Sequence, residues 1–290
     1  MVAANVNGAI EVSGNHRNHL PETSLPTFDA YLLGRKITCI TTTGLLNKIH
    51  SACRTGKKIT VANYNINSFN MSVQFPWFFE FLQTAEVAHC DGLGVVYALR
   101  FMGYELPLEY RVSYSVLMPK LLEQCNQNRQ SVYLLGTKPQ YLDAAVANLQ
   151  EQYPTAEING HHGYFQFDDE AASMKVVEEI NRVKPNILIV GMGMPIQEYW
   201  VQRYRDRLDV NAILVGGAVI DRMAGAVPEC PEILSNNGLE WLFRLVREPK
   251  RLMTRYALGN PAFLLQVALA KYQKLSIKNN LDPACGNSQG

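Results

Sequence analysis

Several motifs that announce common nucleotide chemistries are missing from this chain. There is no G-x-x-x-x-G-K-[ST] loop. The segment Gly191-Met192-Gly193-Met194-Pro195 departs from G-x-G-x-x-G, which disfavours a P-loop enzyme or an NAD(P)-dependent oxidoreductase. No Asp-x-Asp occurs, so a phosphate leaving group would lack a dedicated metal clamp and would need Arg, Lys and helix N-termini instead. Six cysteines (Cys39, Cys53, Cys90, Cys125, Cys230, Cys285) make no CxxC pair. That excludes a zinc framework and suits a reducing compartment better than a disulfide scaffold. His161 and His162 have no partners at ligand spacing and read as turn or pocket-wall residues, so neither a metal site nor a cofactor is expected. A net charge of +1 excludes a chain that coats nucleic acid along its length. No run approaches the ~18 apolar residues of a spanning helix. Residues 1–27 carry no apolar h-region, so no secretory leader is expected.

What is present is an alternation. Apolar strand-like runs at 37–40, 58–64, 86–90, 131–136, 156–160, 186–193 and 212–217 are separated by helical stretches at 42–53, 68–82, 93–101, 117–127, 141–153, 168–183 and 196–207. Thr41, Thr42 and Thr43 offer N-caps for the first helix, and Gly56 closes it. Such alternation predicts an α/β fold, with Rossmann-like parallel sheets, flanking helices and a basic helical C-terminal appendage. The expected division is a flexible arm at 1–27, a catalytic α/β domain at 28–243 and the appendage at 244–290. With 290 residues and 47% hydrophobic content, the chain can bury a large core.

Three apolar strands end in glycine, at Gly136, at Gly191 and Gly193, and at Gly216 and Gly217. Backbone N–H groups at such turns can approach phosphate closely, although glycines of this kind also serve simply to let the chain turn. Asp91-Gly92-Leu93-Gly94 follows a fourth strand and opens a helix. A carboxylate there stands where open α/β sheets place ligand chemistry; the plainer reading of Asp91 is a turn residue or N-cap. Residues 244–274 hold seven Lys/Arg and one acid, net +6, which leaves −5 for the remainder. Arg244, Arg247, Arg251 and Arg255 step by 3, 4 and 4 with apolar residues between them, and Pro249 is expected to interrupt the helix. The bland reading is a solvated basic face. The preference for Arg and the apolar interleaving suit a helix lying at an anionic membrane surface.

Taken in order, these segments resemble the WecG/TagA/CpsF family of bacterial glycosyltransferases over roughly residues 37–265. The carriers are Asp91-Gly92-Leu93-Gly94-Val95, Leu134-Leu135-Gly136, Gly160-His161-His162-Gly163-Tyr164-Phe165 and Pro195-Ile196-Gln197-Glu198-Tyr199-Trp200. Asp221-Arg222-Met223-Ala224-Gly225 and Gly238-Leu239-Glu240-Trp241 through Arg251, then Arg255-Tyr256, complete the set. The resemblance implies an inverting, metal-independent transfer of a hexose from a UDP-sugar to a polyprenyl-diphosphate-linked sugar in surface polysaccharide biosynthesis. The work would be done at the inner face of the plasma membrane by a peripherally associated protein, with homo-oligomeric assembly left open. It further implies Asp91 as general base, with Asn65 and Gln197 beside the reacting centre, the Gln197 amide meeting sugar hydroxyls. Asn63, Gly92, Arg111, Asp221, Arg251 and Arg255 would join the glycine turns in holding substrate, the two arginines at a diphosphate. Without the family, Gln197 and Glu198 read as the first turn of a helix after Pro195.

Three segments depart from the family pattern. T-x-N appears as Asn63-Tyr64-Asn65, R-V-x-G-x-D-L as Arg111-Val112-Ser113-Tyr114-Ser115-Val116-Leu117, and R-A-P as Glu229-Cys230-Pro231. These changes bear on the donor sugar, which is glucose, or N-acetylmannosamine or its uronic acid; the Asn-x-Asn pattern leans to glucose, as in xanthan-type assembly enzymes. They also keep open a catalytically decayed nucleotide- or lipid-binding regulator, which an assay with UDP-hexoses separates from an enzyme.

Overall fold

A computed structural model describes residues 22–228, 230, 231, 234 and 240–281, with the side chains at 23, 240, 244, 251, 254, 255 and 274–281 outside that description. Most of the segment expected as an N-terminal arm therefore lies outside the described residues, as do residues 235–239 of the last motif.

The chain opens with a hairpin, β1 (Phe28–Leu32) and β2 (Arg35–Cys39), turning at Leu33 and Gly34, both at positive φ. Helix α1 (Thr42–Thr55) starts where Thr41 accepts from the Gly44 N–H and stops at Gly56 in the left-handed region, as the sequence signals predict. There follow β3 (Ile59–Tyr64), α2 (Ile66–Gln74), α3 (Pro76–Thr84), β4 (Val87–Cys90) and α4 (Leu93–Phe101). The single helix expected over 68–82 is thus two. Pro76 has no N–H to donate and sits as the first residue of α3, so the chain breaks at Phe75. The middle of the chain supplies α5 (Tyr114–Asn128), β5 (Val132–Gly136), α6 (Pro139–Gln152), β6 (Ile158–His161), α7 (Glu170–Val183) and β7 (Ile187–Gly191). Last come α8 (Ile196–Tyr204), β8 (Ala212–Val215), α9 (Val219–Met223), α10 (Glu240–Arg247) and α11 (Pro249–Leu281). Pro249 separates α10 from α11, as expected, whereas α11 continues through Pro261.

The strands form one sheet in the order β1-β2-β4-β3-β8-β7-β5-β6, parallel except for the antiparallel β1. β3, β4, β5, β7 and β8 are buried at every residue, which is why they read as largely apolar runs, broken only by Thr60, Asn63 and His89. Two cores cover the two faces. One gathers Phe69, Phe78, Val95, Val177, Trp200 and Phe263, so α2, α3, α4, α7, α8 and α11 share a face. The other gathers Leu45, Leu117, Leu121, Leu142, Leu149 and Ile220, from α1, α5, α6 and α9.

This distribution creates the crevice. Across the neighbours β3, β8, β7 and β5, the following helix goes alternately to one face and the other: α2, α9, α8, α6. Chain connections diverge at each step, and the carboxyl ends of the strands are left open between them. α11 docks through Phe263, fully buried and set edge-to-face with Phe69 at 5.0 Å between ring centroids, and through Asn70 Nδ2 donating to the Gly259 carbonyl at 2.8 Å.

Candidate active site

The ends of β5, β7 and β8 meet as bare backbone. A Cβ on Gly136 would collide with the Gly191 backbone, and a Cβ on Gly191 would come within 2.8 Å of the Gly217 carbonyl. The loop after β6 closes on the same place, with a Cβ on Gly163 falling 2.9 Å from Gly136 Cα. Side chains are excluded here because the main chains pack too closely to admit them. Gly193 and Gly217 add positive φ of 84° and 58°, conformations that turn N–H groups away from the ordinary strand pattern. Gly216 is less constrained, its Cβ position lying 3.2 Å from Val219.

Gln197 ties two of these turns together. Its side chain is 1% exposed; Oε1 accepts from the Gly193 N–H at 3.2 Å and from the Gly217 N–H at 3.0 Å, and Nε2 donates to Glu198 Oε1 at 2.8 Å. The amide expected to meet sugar hydroxyls is therefore engaged inside the protein. Asp221 is placed similarly: Thr137, just beyond Gly136, donates its hydroxyl to Asp221 Oδ1 and joins the turn after β5 to α9.

On the other side of the crevice, side chains replace bare backbone. Asp91 follows β4, and its N–H donates to the Tyr64 carbonyl at 2.9 Å, extending the β3–β4 pairing by one step. This pins the residue where the strands end. α4 begins directly afterwards with Gly92 as its cap, and a Cβ on Gly94 would fall 2.6 Å from Ile66 Cδ1, so a side chain there would have to displace the end of Ile66. Asn65 caps α2: its Oδ1 accepts from the N–H groups of Asn67 and Ser68, and Ser68 Oγ accepts from the Asn65 N–H in return. Its Nδ2 points to Asn63 Oδ1 at 3.4 Å, and Asn63 Nδ2 donates to the Val215 carbonyl at the end of β8. The Asn-x-Asn pair thus bridges the two halves. Arg111 stands beside Cys90 in an isolated parallel bridge, with the Val112 N–H on the Cys90 carbonyl. Of the two arginines expected at a diphosphate, Arg251 and Arg255, only the backbone is described, within α11.

A buried polar cluster lies behind Asp91, and the sequence reading missed it. His89 is fully buried; burial holds its pKa down while the Asp91 charge pulls it up. Its ring lies 5.7 Å from that of Tyr114. Burial raises the Tyr114 phenol, and the carboxyls of Asp91 and Glu198 raise it further. Glu198 is itself buried, which pushes its pKa up to about 7. A lone polar residue in an otherwise apolar strand was the available signal for His89. For Tyr114 and Thr137 there was none. Among the described residues, no three His, Cys, Asp or Glu side chains gather as a metal site.

The model of the family described as "Glycosyl transferase WecG/TagA/CpsF family" matches residues 30–277. Relatives from Staphylococcus aureus strains MW2, NCTC 8325 / PS 47 and MRSA252 are each named N-acetylglucosaminyldiphosphoundecaprenol N-acetyl-beta-D-mannosaminyltransferase. Each is 29% identical over 224 residues, covering 77% of this chain and 85% of the relative.

Proposed function

This chain belongs to the glycosyl transferase WecG/TagA/CpsF family, and on that premise we propose that it moves a hexose from a UDP-sugar onto a polyprenyl-diphosphate-linked sugar, with inversion, in assembling a bacterial surface polysaccharide. The observation that carries this reading is the convergence of Asp91 with the bare-backbone turns at Gly136, Gly191, Gly193 and Gly217 on one open sheet edge. The acceptor oxygen attacks the anomeric carbon while Asp91 takes its proton, and the bond from that carbon to the UDP oxygen breaks on the opposite side. The leaving diphosphate packs against the bare main chain of the glycine turns, whose Gly193 and Gly217 N–H groups are held in place by Gln197 Oε1. Asn63, Asn65, Gly92, Gly216 and Arg111 border the sugar. Gln197 and Asp221 order the turns from within. Arg251 and Arg255 meet a diphosphate from α11, adding the cationic charge that steadies it.

Leu258, Leu264, Leu265 and Leu269 are each more than half exposed on α11, and Lys271 lies over the Phe101 ring. This supports a helix resting on an anionic bilayer, where a lipid-linked acceptor resides. No helix among the described residues is long and apolar enough to cross a membrane.

The relatives' names favour N-acetylmannosamine as donor sugar, and the Asn63-Tyr64-Asn65 departure favours glucose. Purified protein, a polyprenyl-diphosphate-linked acceptor and a panel of UDP-glucose, UDP-N-acetylmannosamine and its uronate separate the two. Transfer from one member, with release of UDP, is the expected result; no transfer and no UDP binding across the panel overturns the reading. Arg251→Ala and Arg255→Ala should each lower turnover with lipid acceptor by about tenfold, the worth of one charge-assisted contact. Full turnover in both removes them from that role.

A further inference from the structure

Gln197 joins the Gly193 and Gly217 turns through Oε1, and its Nε2 donates to Glu198. Glu198 is 1% exposed, and its second oxygen, Oε2, is buried with no hydrogen-bond partner among the described residues. Burying a carboxyl group so incompletely satisfied is costly, and an apolar side chain would fill the same space without that cost. The carboxyl therefore calls for an explanation beyond packing.

The Gln197 amide supplies one. It could sit in either of two orientations related by a half-turn. In the observed one, its oxygen faces two backbone N–H donors and its nitrogen faces a carboxyl oxygen. Reversed, three donor groups would converge at the glycine turns, and two oxygens would face each other at Glu198. An acceptor at position 198 thus penalises the reversed orientation at both ends.

We propose that Glu198 is a positioning residue for donor binding: by accepting from Gln197 Nε2, it holds Gln197 Oε1 on the N–H groups of Gly193 and Gly217 and so sets the spacing of the two turns. The link to donor rests on reading those turns as the diphosphate site. Oε1 accepts in either protonation state, because a proton on Oε2 leaves Oε1 free. The role requires an acceptor atom at that place and not a negative charge.

UDP titration by calorimetry and steady-state kinetics on the full chain test this with Glu198→Met and Glu198→Gln. Glu198→Met should weaken UDP binding and raise the donor KM by about tenfold, with kcat at saturating donor changed by less than about threefold. Glu198→Gln, which keeps an acceptor oxygen, should stay within about threefold of the parent protein in both. UDP affinity unchanged in Glu198→Met, or Glu198→Gln as impaired as Glu198→Met, overturns the proposal. A double variant, Gln197→Met with Glu198→Met, should bind UDP no more weakly than Gln197→Met alone; additive losses overturn it.

Amide hydrogen exchange at Gly193 and Gly217 gives a readout free of ligand. Exchange should rise about tenfold in Glu198→Met and stay unchanged in Glu198→Gln, and equal protection in both variants and the parent overturns the positioning role. A parent protein that binds no UDP, with Gly193 and Gly217 exchanging as expected, would instead defeat the diphosphate reading alone. Should Glu198→Met not fold, Glu198→Asp decides by the same measurements, since it withdraws the carboxyl by one methylene. Weaker UDP binding with faster exchange supports the proposal, and parent-like values overturn it.

Discussion

The two halves of the crevice are built differently. At the ends of β5, β7 and β8 the main chains lie so close that no Cβ fits on Gly136 or Gly191, and the surface offered is backbone. At and just beyond the ends of β3 and β4 the chain offers Asn63, Asn65 and Asp91. A bare-backbone surface suits an anion with many oxygens, whereas a carboxylate suits proton transfer. The difference suggests a division of labour: donor held on one side, acceptor activated on the other. Asn63 spans the seam, with its amide on the Val215 carbonyl.

Separate measurement of UDP affinity and turnover can break this division. The largest effect is expected for Asp91→Asn. Losing a general base should lower kcat by about 10²–10⁴-fold with UDP affinity unchanged, and an equal fall in UDP affinity would put Asp91 on the binding side.

Next in size is a stability effect. Glu198 has its pKa raised by burial from 4.5 to about 7, so the folded protein resists losing that proton. The stabilisation is fully present below about pH 4.5 and is lost as pH rises through about 7, amounting to at most roughly 3 kcal/mol. His89 works the other way. Its pKa is held down by burial, so it favours folding above 6.5 and costs stability as pH falls below that value. Denaturant unfolding of the parent and Glu198→Gln at about pH 5 and about pH 8 isolates the glutamate: the parent should lose stability relative to the variant at the higher pH.

A smaller effect, confined to the backbone half, is expected for Gly136→Ala. The added methyl must displace the Gly191 main chain, at a cost of about 1–3 kcal/mol in stability, and the shifted turn should weaken UDP binding by about tenfold. Turnover at saturating donor should persist, and a fall in kcat without a change in UDP affinity would merge the two halves. The smallest change is Asn65→Ala. Loss of the α2 cap should cost about 1 kcal/mol in thermal or denaturant unfolding. A fall in turnover well beyond what that destabilisation explains would give Asn65 a role in the chemistry.

Legibility along the chain followed burial. The strands buried on both faces are legible as apolar runs, and the glycines at the ends of β5, β7 and β8 mark the open edge in the sequence itself. β1 did not, because Phe28, Asp29 and Tyr31 are exposed and only Ala30 and Leu32 face inward. The break at Phe75 between α2 and α3 has Pro76 as its local signal. At the candidate site, Asp91 and the glycine turns were readable from local pattern together with a family resemblance. The partners of Gln197 and Asp221 were not, since each joins segments separated in sequence: Gly217 lies twenty residues from Gln197, and Thr137 eighty-four from Asp221. The packing of Tyr114 on His89 was hidden for the same reason.

Local sequence, then, was enough to determine which stretches become strands, where they stop, and that glycine stands at the stops, because hydrophobic period and turn chemistry act over a few residues. Which face each helix covers, and hence that β3, β8, β7 and β5 send their chains alternately to opposite sides, was decided only in three dimensions. That the Gln197 amide reaches the Gly193 and Gly217 N–H groups was decided there too. Those outcomes depend on contacts between residues far apart in the chain, whose energies exist only once the sheet has brought them together.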